Sequence, residues 1–104
     1  MEEESSKQRV VVEGKLVLQL YVSGMSLKSM EAIENIKRLC DTYLQDSVDL
    51  EIIDLYKNPE LAIEQQIVFS PSLIKQSPLP KKTLIGTFAD TEKVIKGLGI
   101  RIKE

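Results

Sequence analysis

The hydrophobic positions of the 104-residue chain change period several times, and each change marks an element. In "KLVLQLYVSG", Leu16, Leu18 and Leu20 fall on one strand face, while Val17, Gln19 and Tyr21 fall on the other. Apolar residues on both faces predict a central strand covered from both sides, and Ser23-Gly24 ends it. Ser26 is placed to cap a helix running to about Leu44, along which Met30, Ile33, Leu39-Cys40 and Tyr43-Leu44 recur at helical spacing. "VDLEIIDL" alternates instead. With Val48, Leu50 and Ile52 inward and Asp49 and Glu51 outward, it reads as a half-buried strand. Asn58 before Pro59 sets a capping side chain ahead of a proline at the first helical position, which predicts the short helix "PELAIEQQI". Two short strands, "SLIK" and "KTLIG", then flank the loop "QSPLP". Asp90 caps a last helix, "TEKVIKGL", which carries Val94, Ile95 and Leu98 and has Gly97 and Gly99 near its end.

The resulting order, β-α-β-α-β-β-α, is that of an α/β thioredoxin-like domain: a parallel pair, a crossover helix and an antiparallel hairpin. One such domain is expected over residues 13 to 104, preceded by a disordered acidic tail over residues 1 to 12, where "EEESSKQR" has nothing to bury. At this length there is room for one core and not two. A hydrophobic content of 42% and a charged content of 29% are those of a soluble domain, and a net charge of −2 argues against sequence-independent nucleic-acid binding. The polar start is not that of a signal peptide, and no apolar run approaches the roughly 20 residues of a membrane span. The single cysteine, Cys40, cannot form an internal disulfide, which fits a reducing, cytoplasmic setting.

The same residue counts bear on chemistry. With no histidine, the chain lacks the usual general base and the commonest metal ligand, so neither an enzyme nor a metal or cofactor site is expected. Thioredoxin-like enzymes carry Cys-x-x-Cys where the first strand enters the first helix. Here that place reads "YVSGMSLKSM", and Cys40 lies roughly three turns further on, along the apolar face, where a thiol is protonated and inert. Thiol-disulfide exchange is therefore disfavoured. Ser23, Ser26 and Ser29 surround a helix N-terminus that could hold an anion, but capping explains them more simply. Asp49, Glu51 and Asp54 read as the solvated side of a strand. Lys75, Lys81 and Lys82 form a small basic cluster around the proline loop, either guarding a sheet edge or meeting a partner. Pro71 stands where the fold places a cis-proline beside the active-site loop, holding a strand edge open for a partner backbone.

In order and nearly without gaps, "LQLYVSG", "SLKSMEAIENI", "EIIDLYKNPELA", "SPSLIKQSPLPKKTLIG" and "TEKVIKGL" resemble the KaiB family of circadian-clock proteins over about residues 15 to 100. That resemblance implies a non-enzymatic regulator that binds a KaiC-type hexameric ATPase, in a clock-like or stress-adaptation pathway. It also implies a tetrameric or dimeric ground state in which the second half is rebuilt, with slow switching to the thioredoxin-like monomer. Glu60 with its helix, Lys75 and Lys82 would then contact the partner, while Pro71, Pro78, Pro80, Gly97 and Gly99 belong to the switching region. The segment from Ile67 to Gly99 is short and proline-punctuated, so its register is weakly fixed, as a second packing requires. KaiA is not expected as a partner, because Glu51 stands where cyanobacterial members carry a lysine and Glu31 where they carry an arginine. A stand-alone thioredoxin-like adaptor for another protein, such as a sensor kinase, is the alternative.

Overall fold

The structure, a computed structural model, describes residues 9–11, 16–44, 47–67 and 69–103. Its elements are β1 (Arg9–Val11), β2 (Leu16–Val22), α1 (Leu27–Leu39), β3 (Val48–Asp54), α2 (Pro59–Glu64), β4 (Ser72–Ser77), β5 (Lys82–Ile85), α3 (Thr91–Leu98) and β6 (Arg101–Lys103). From β2 to α3 this is the predicted order. Four strands form one sheet in the order β3-β2-β4-β5, with β2 parallel to β3 and antiparallel to β4, and β4 antiparallel to β5. The central position of β2 follows from its sequence. Leu16, Leu18 and Leu20 are fully buried on one face and Tyr21 on the other.

Two apolar clusters show how the layers are arranged. On one face, the β2 leucines and Leu73 pack with Ala32, Ile36 and Leu39 of α1 and with Val94, Ile95 and Leu98 of α3. On the other, Tyr21, Ile53 and Ile74 pack with Leu55, Leu61 and Ile67, the short α2 being the cover. Val48, Leu50 and Ile52 face the first cluster, half-buried as the alternation predicts.

Several expectations need correction. The buried stripe of α1 is Ser29, Ala32, Ile36 and Leu39, whereas Met30 is exposed and Ile33 only half-buried. Small residues disguised the true stripe, whose spacing of three and four is the better helical one. The α-helix stops at Leu39, and Cys40–Leu44 continues as a single turn of wider π type. Helix α2 is only six residues long. The Asn58 side chain does not cap it but donates from Nδ2 to the Asp54 carbonyl at 3.1 Å. The third strand of the predicted order, β4, runs to Ser77, two residues beyond "SLIK".

Residues 1–8 and 12 of the expected tail lie outside the described residues, while Arg9–Val11 forms β1, paired antiparallel with β6 in a separate two-stranded ribbon that was not foreseen. From Tyr56 to Gly99 the order is the thioredoxin-like one, not the exchanged arrangement the resemblance implies for a ground state.

Candidate functional site

The C-terminal ends of β2 and β3 meet the start of β4 at one end of the sheet, and this is where thioredoxin-like enzymes carry their thiols. Here the junction is built from serines. Ser26 caps α1 by accepting from the Ser29 N–H at 3.2 Å, and its hydroxyl donates to Ser29 Oγ at 2.9 Å. Ser29 Oγ, fully buried, also accepts from the Ser23 N–H at 3.1 Å. These bonds use the serines structurally, as the capping reading expects.

Asp54 locks the neighbouring turn. Its Oδ1 accepts from the N–H of Gly24 at 3.0 Å and of Tyr56 at 2.9 Å, tying the β2–α1 loop to the β3–α2 turn. Gly24 adopts φ +64, and a Cβ there would lie 2.7 Å from the Tyr56 ring, so the loop needs glycine twice over.

Pro71 is buried at the head of β4 after a cis peptide bond, and its carbonyl accepts from the Gly86 N–H at 3.2 Å. Around this end of the sheet, Met25, Leu27, Tyr56 and Phe69 leave most of their apolar surface in solvent, between 60% and 81% of each residue. Sequence reasoning missed all four, because they sit in turns or at a helix start and follow no period. The one available signal was their position, apolar residues beside Gly24, Asn58 and Pro71 where polar ones are usual.

The basic residues lie elsewhere. Lys75 faces Leu18 on one side and Lys82 on the other, on the sheet face covered by α3. It is 2% exposed, a burial the sequence concealed by placing a lysine there. Burial, and then the neighbouring Lys82 ammonium, push the Lys75 pKa below its ordinary value.

The last turn of α3 completes the cluster. A Cβ on Gly99 would lie 3.7 Å from Lys75 Nζ and 3.9 Å from Lys82 Cε. Gly97 admits the Leu84 side chain, whose Cδ2 would stand 2.7 Å from a Cβ there. Pro78 and Pro80, both after cis peptide bonds, form the turn joining β4 to β5. The structure thus brings Lys75, Lys82, Gly97 and Gly99 together. It does not join Glu60 to them: Glu60 is exposed in the first turn of α2, on the opposite face and toward the other end of the sheet.

Cys40 is buried at the end of α1, and burial followed by the Asp41 charge raises its pKa to about 11. Among the described residues, no group of three or more His, Cys, Asp or Glu could hold a metal ion. No described helix is long and apolar enough to cross a membrane.

The architecture and the thiol-free junction define a thioredoxin-like α/β domain without the thiol pair at the usual place. Solved structures agree on the fold. The N-terminal domain of SasA from Synechococcus elongatus superposes with a TM-score of 0.66 at 20% identity, covering 86% of this chain and 88% of that one. Chloroplastic thioredoxin z gives 0.69 at 13% identity, over 84% and 78% of the two chains. The sequence then narrows the class. The pattern of the KaiB domain family matches residues 19–100, and the chain belongs to the KaiB family. It is 45% identical over 86 residues to circadian clock protein KaiB3 of Synechocystis (83% of this chain, 84% of that protein). It is 39% identical over 84 residues to the circadian clock oscillator protein KaiB of Synechococcus elongatus (81% and 82%).

Proposed function

We propose that this chain is a non-enzymatic, cytoplasmic regulatory protein that binds a KaiC-type hexameric ATPase. The observation that carries this reading is the junction at the strand ends. Serines satisfied by their own hydrogen bonds occupy the place of the thiols, while Met25, Leu27, Tyr56 and Phe69 stay exposed around it. Such a surface can bind another protein without acting on it. Membership of the KaiB family and relatives named as clock proteins point to the partner class.

In this reading Lys82 and the Glu60 helix make separate contacts, since they lie on opposite faces, and Lys75, buried here, reaches the partner only as its segment rearranges. The free chain rests as a dimer or tetramer and forms the complex slowly, with the segment containing Pro71, Pro78, Pro80, Gly97 and Gly99 rearranging, and KaiA is not among its partners. Co-sedimentation with a KaiC-type hexamer in ATP, followed for many hours, tests the proposal. The expected result is a stable complex that accumulates over hours. No complex after a day, in ATP or ADP, would leave the family membership without this function.

A further inference from the structure

Strand β5 is one of the two edges of the four-stranded sheet, and its hydrogen-bonding phase can be worked out. The Gly86 N–H donates to the Pro71 carbonyl, and the β4–β5 register sets Leu84 opposite Leu73 and Lys82 opposite Lys75. Bonded and non-bonded pairs alternate along an antiparallel ladder. The backbone of Lys82, Leu84 and Gly86 therefore faces β4, and that of Thr83 and Ile85 faces away from the sheet. Lys82, Thr83 and Ile85 are exposed. Just past the end of β5, a cleft of about 310 Å³ opens against the first turns of α3, lined by Leu84, Phe88, Lys93 and Val94 among others. Phe88 is buried in its wall at φ +62, the left-handed region that a bulky residue seldom adopts. Lys81 and Lys82 mark the near end of the strand.

We propose that the β5 edge takes an extended segment of the partner protein as an additional strand. Thr83 and Ile85 pair with its backbone, the cleft receives one apolar side chain, and Lys81 and Lys82 meet an acidic residue at the other end of the segment. Strand addition draws affinity from the main chain and specificity from alternate side chains. The charge at this edge selects the occupant. A second copy of β5 would bring two more lysines and no carboxylate on the strand, whereas a segment with an acidic residue at the lysine end and an apolar one at the cleft, whose lining includes Asp90 and Lys93, is complementary at both ends.

This inference rests on the reading that a KaiC-type hexamer is the partner, and the test separates the two. Amide hydrogen exchange is measured on the free chain, diluted until sedimentation shows a monomer, and on its complex with the hexamer in ATP, alongside the affinity of Thr83→Pro. That substitution removes an outward N–H and leaves the β4 ladder intact. The expected results are at least tenfold slower exchange at Thr83 and Ile85 in the complex, and at least tenfold weaker binding by a Thr83→Pro chain of unchanged circular dichroism. A complex in which both amides exchange as in the free chain would overturn the edge proposal alone, whether or not the variant folds. If the wild-type chain forms no complex, the parent reading falls and this one with it. Protection of both amides in the free oligomer but not in the complex would assign the edge to self-association and also overturn it.

Discussion

Gly99 shows how much one residue can decide. It sits at φ +75 just past α3, with its N–H donating to the Lys96 carbonyl at 3.0 Å and the Ile100 N–H donating to the Ile95 carbonyl at 3.3 Å. These are the two bonds of a Schellman motif, with buried Ile100 supplying the apolar contact. A Cβ here meets no atom closer than 3.7 Å, so substitution costs backbone conformation and not space. Gly99→Ala should lower stability by about 1 kcal/mol, the penalty of a left-handed L-residue, and Gly99→Asn by less. Urea unfolding of the three chains checks it, and an alanine variant as stable as the parent would mean that α3 ends in another way.

Lys75 poses the opposite problem, a charge where the fold is apolar. The negative end of α3 lies beside it and favours the ammonium by about 0.3–1 kcal/mol. Burial and then the Lys82 charge act against it and lower its pKa. Lys75→Met should therefore leave the domain at least as stable at pH 7, and by up to about 2 kcal/mol more so. A thermal melt that instead fell by several degrees would show the ammonium to be a necessary cap for α3.

Among the elements, those with a strong period were legible and those made by joints were not. β2 announced its central place through apolar residues on both faces, and α3 through Asp90, whose Oδ1 accepts from the Lys93 N–H at 3.3 Å. Position 54 was harder. Read along the strand, Asp54 is one more outward carboxylate, but in space it holds two backbone N–H groups from different loops. Such a role comes from a contact 30 residues away in sequence, which no local pattern carries. The same holds for the lysine pair, since Lys75 and Lys82 meet Gly99 only once α3 has packed on the sheet, and for the pairing of β1 with β6, near opposite ends of the chain. Losing a charged acceptor for one partly buried N–H group and one exposed one should make Asp54→Ala less stable by about 1–2 kcal/mol. Because α1 and α2 both start from this joint, faster amide exchange at Gly24 and Tyr56 should accompany the loss. Unchanged exchange at those two amides would show that the Asp54 carboxylate is not what holds the loops.

At the scale of the molecule, three buried groups among the described residues bear on the response to alkaline pH, and their effects differ in sign. Cys40 has its pKa raised from 9.0 to about 11 by burial and by Asp41. The folded state thus keeps a proton that the unfolded chain gives up first. The stability that Cys40 contributes is complete below about pH 9 and is lost as pH rises toward 11, on the order of 2 kcal/mol in all. Tyr21, raised from 10.0 by burial and then by the Glu51 charge, acts in the same direction at higher pH. Lys75 opposes them. Lowered from 10.5, it binds fewer protons in the folded chain than in the unfolded one, so its penalty fades as pH approaches that value. The total slope mixes the three, but a Cys40→Ala chain keeps Tyr21 and Lys75 and removes only the thiol. Urea midpoints measured at pH 8, 9.5 and 11 should fall more steeply for the parent than for Cys40→Ala, although the variant starts lower because it has lost buried volume. Parallel curves would mean that the thiol ionises as it does in water and that this end of α1 is open to solvent. In that case the cysteine would again be available for the chemistry that its burial otherwise excludes.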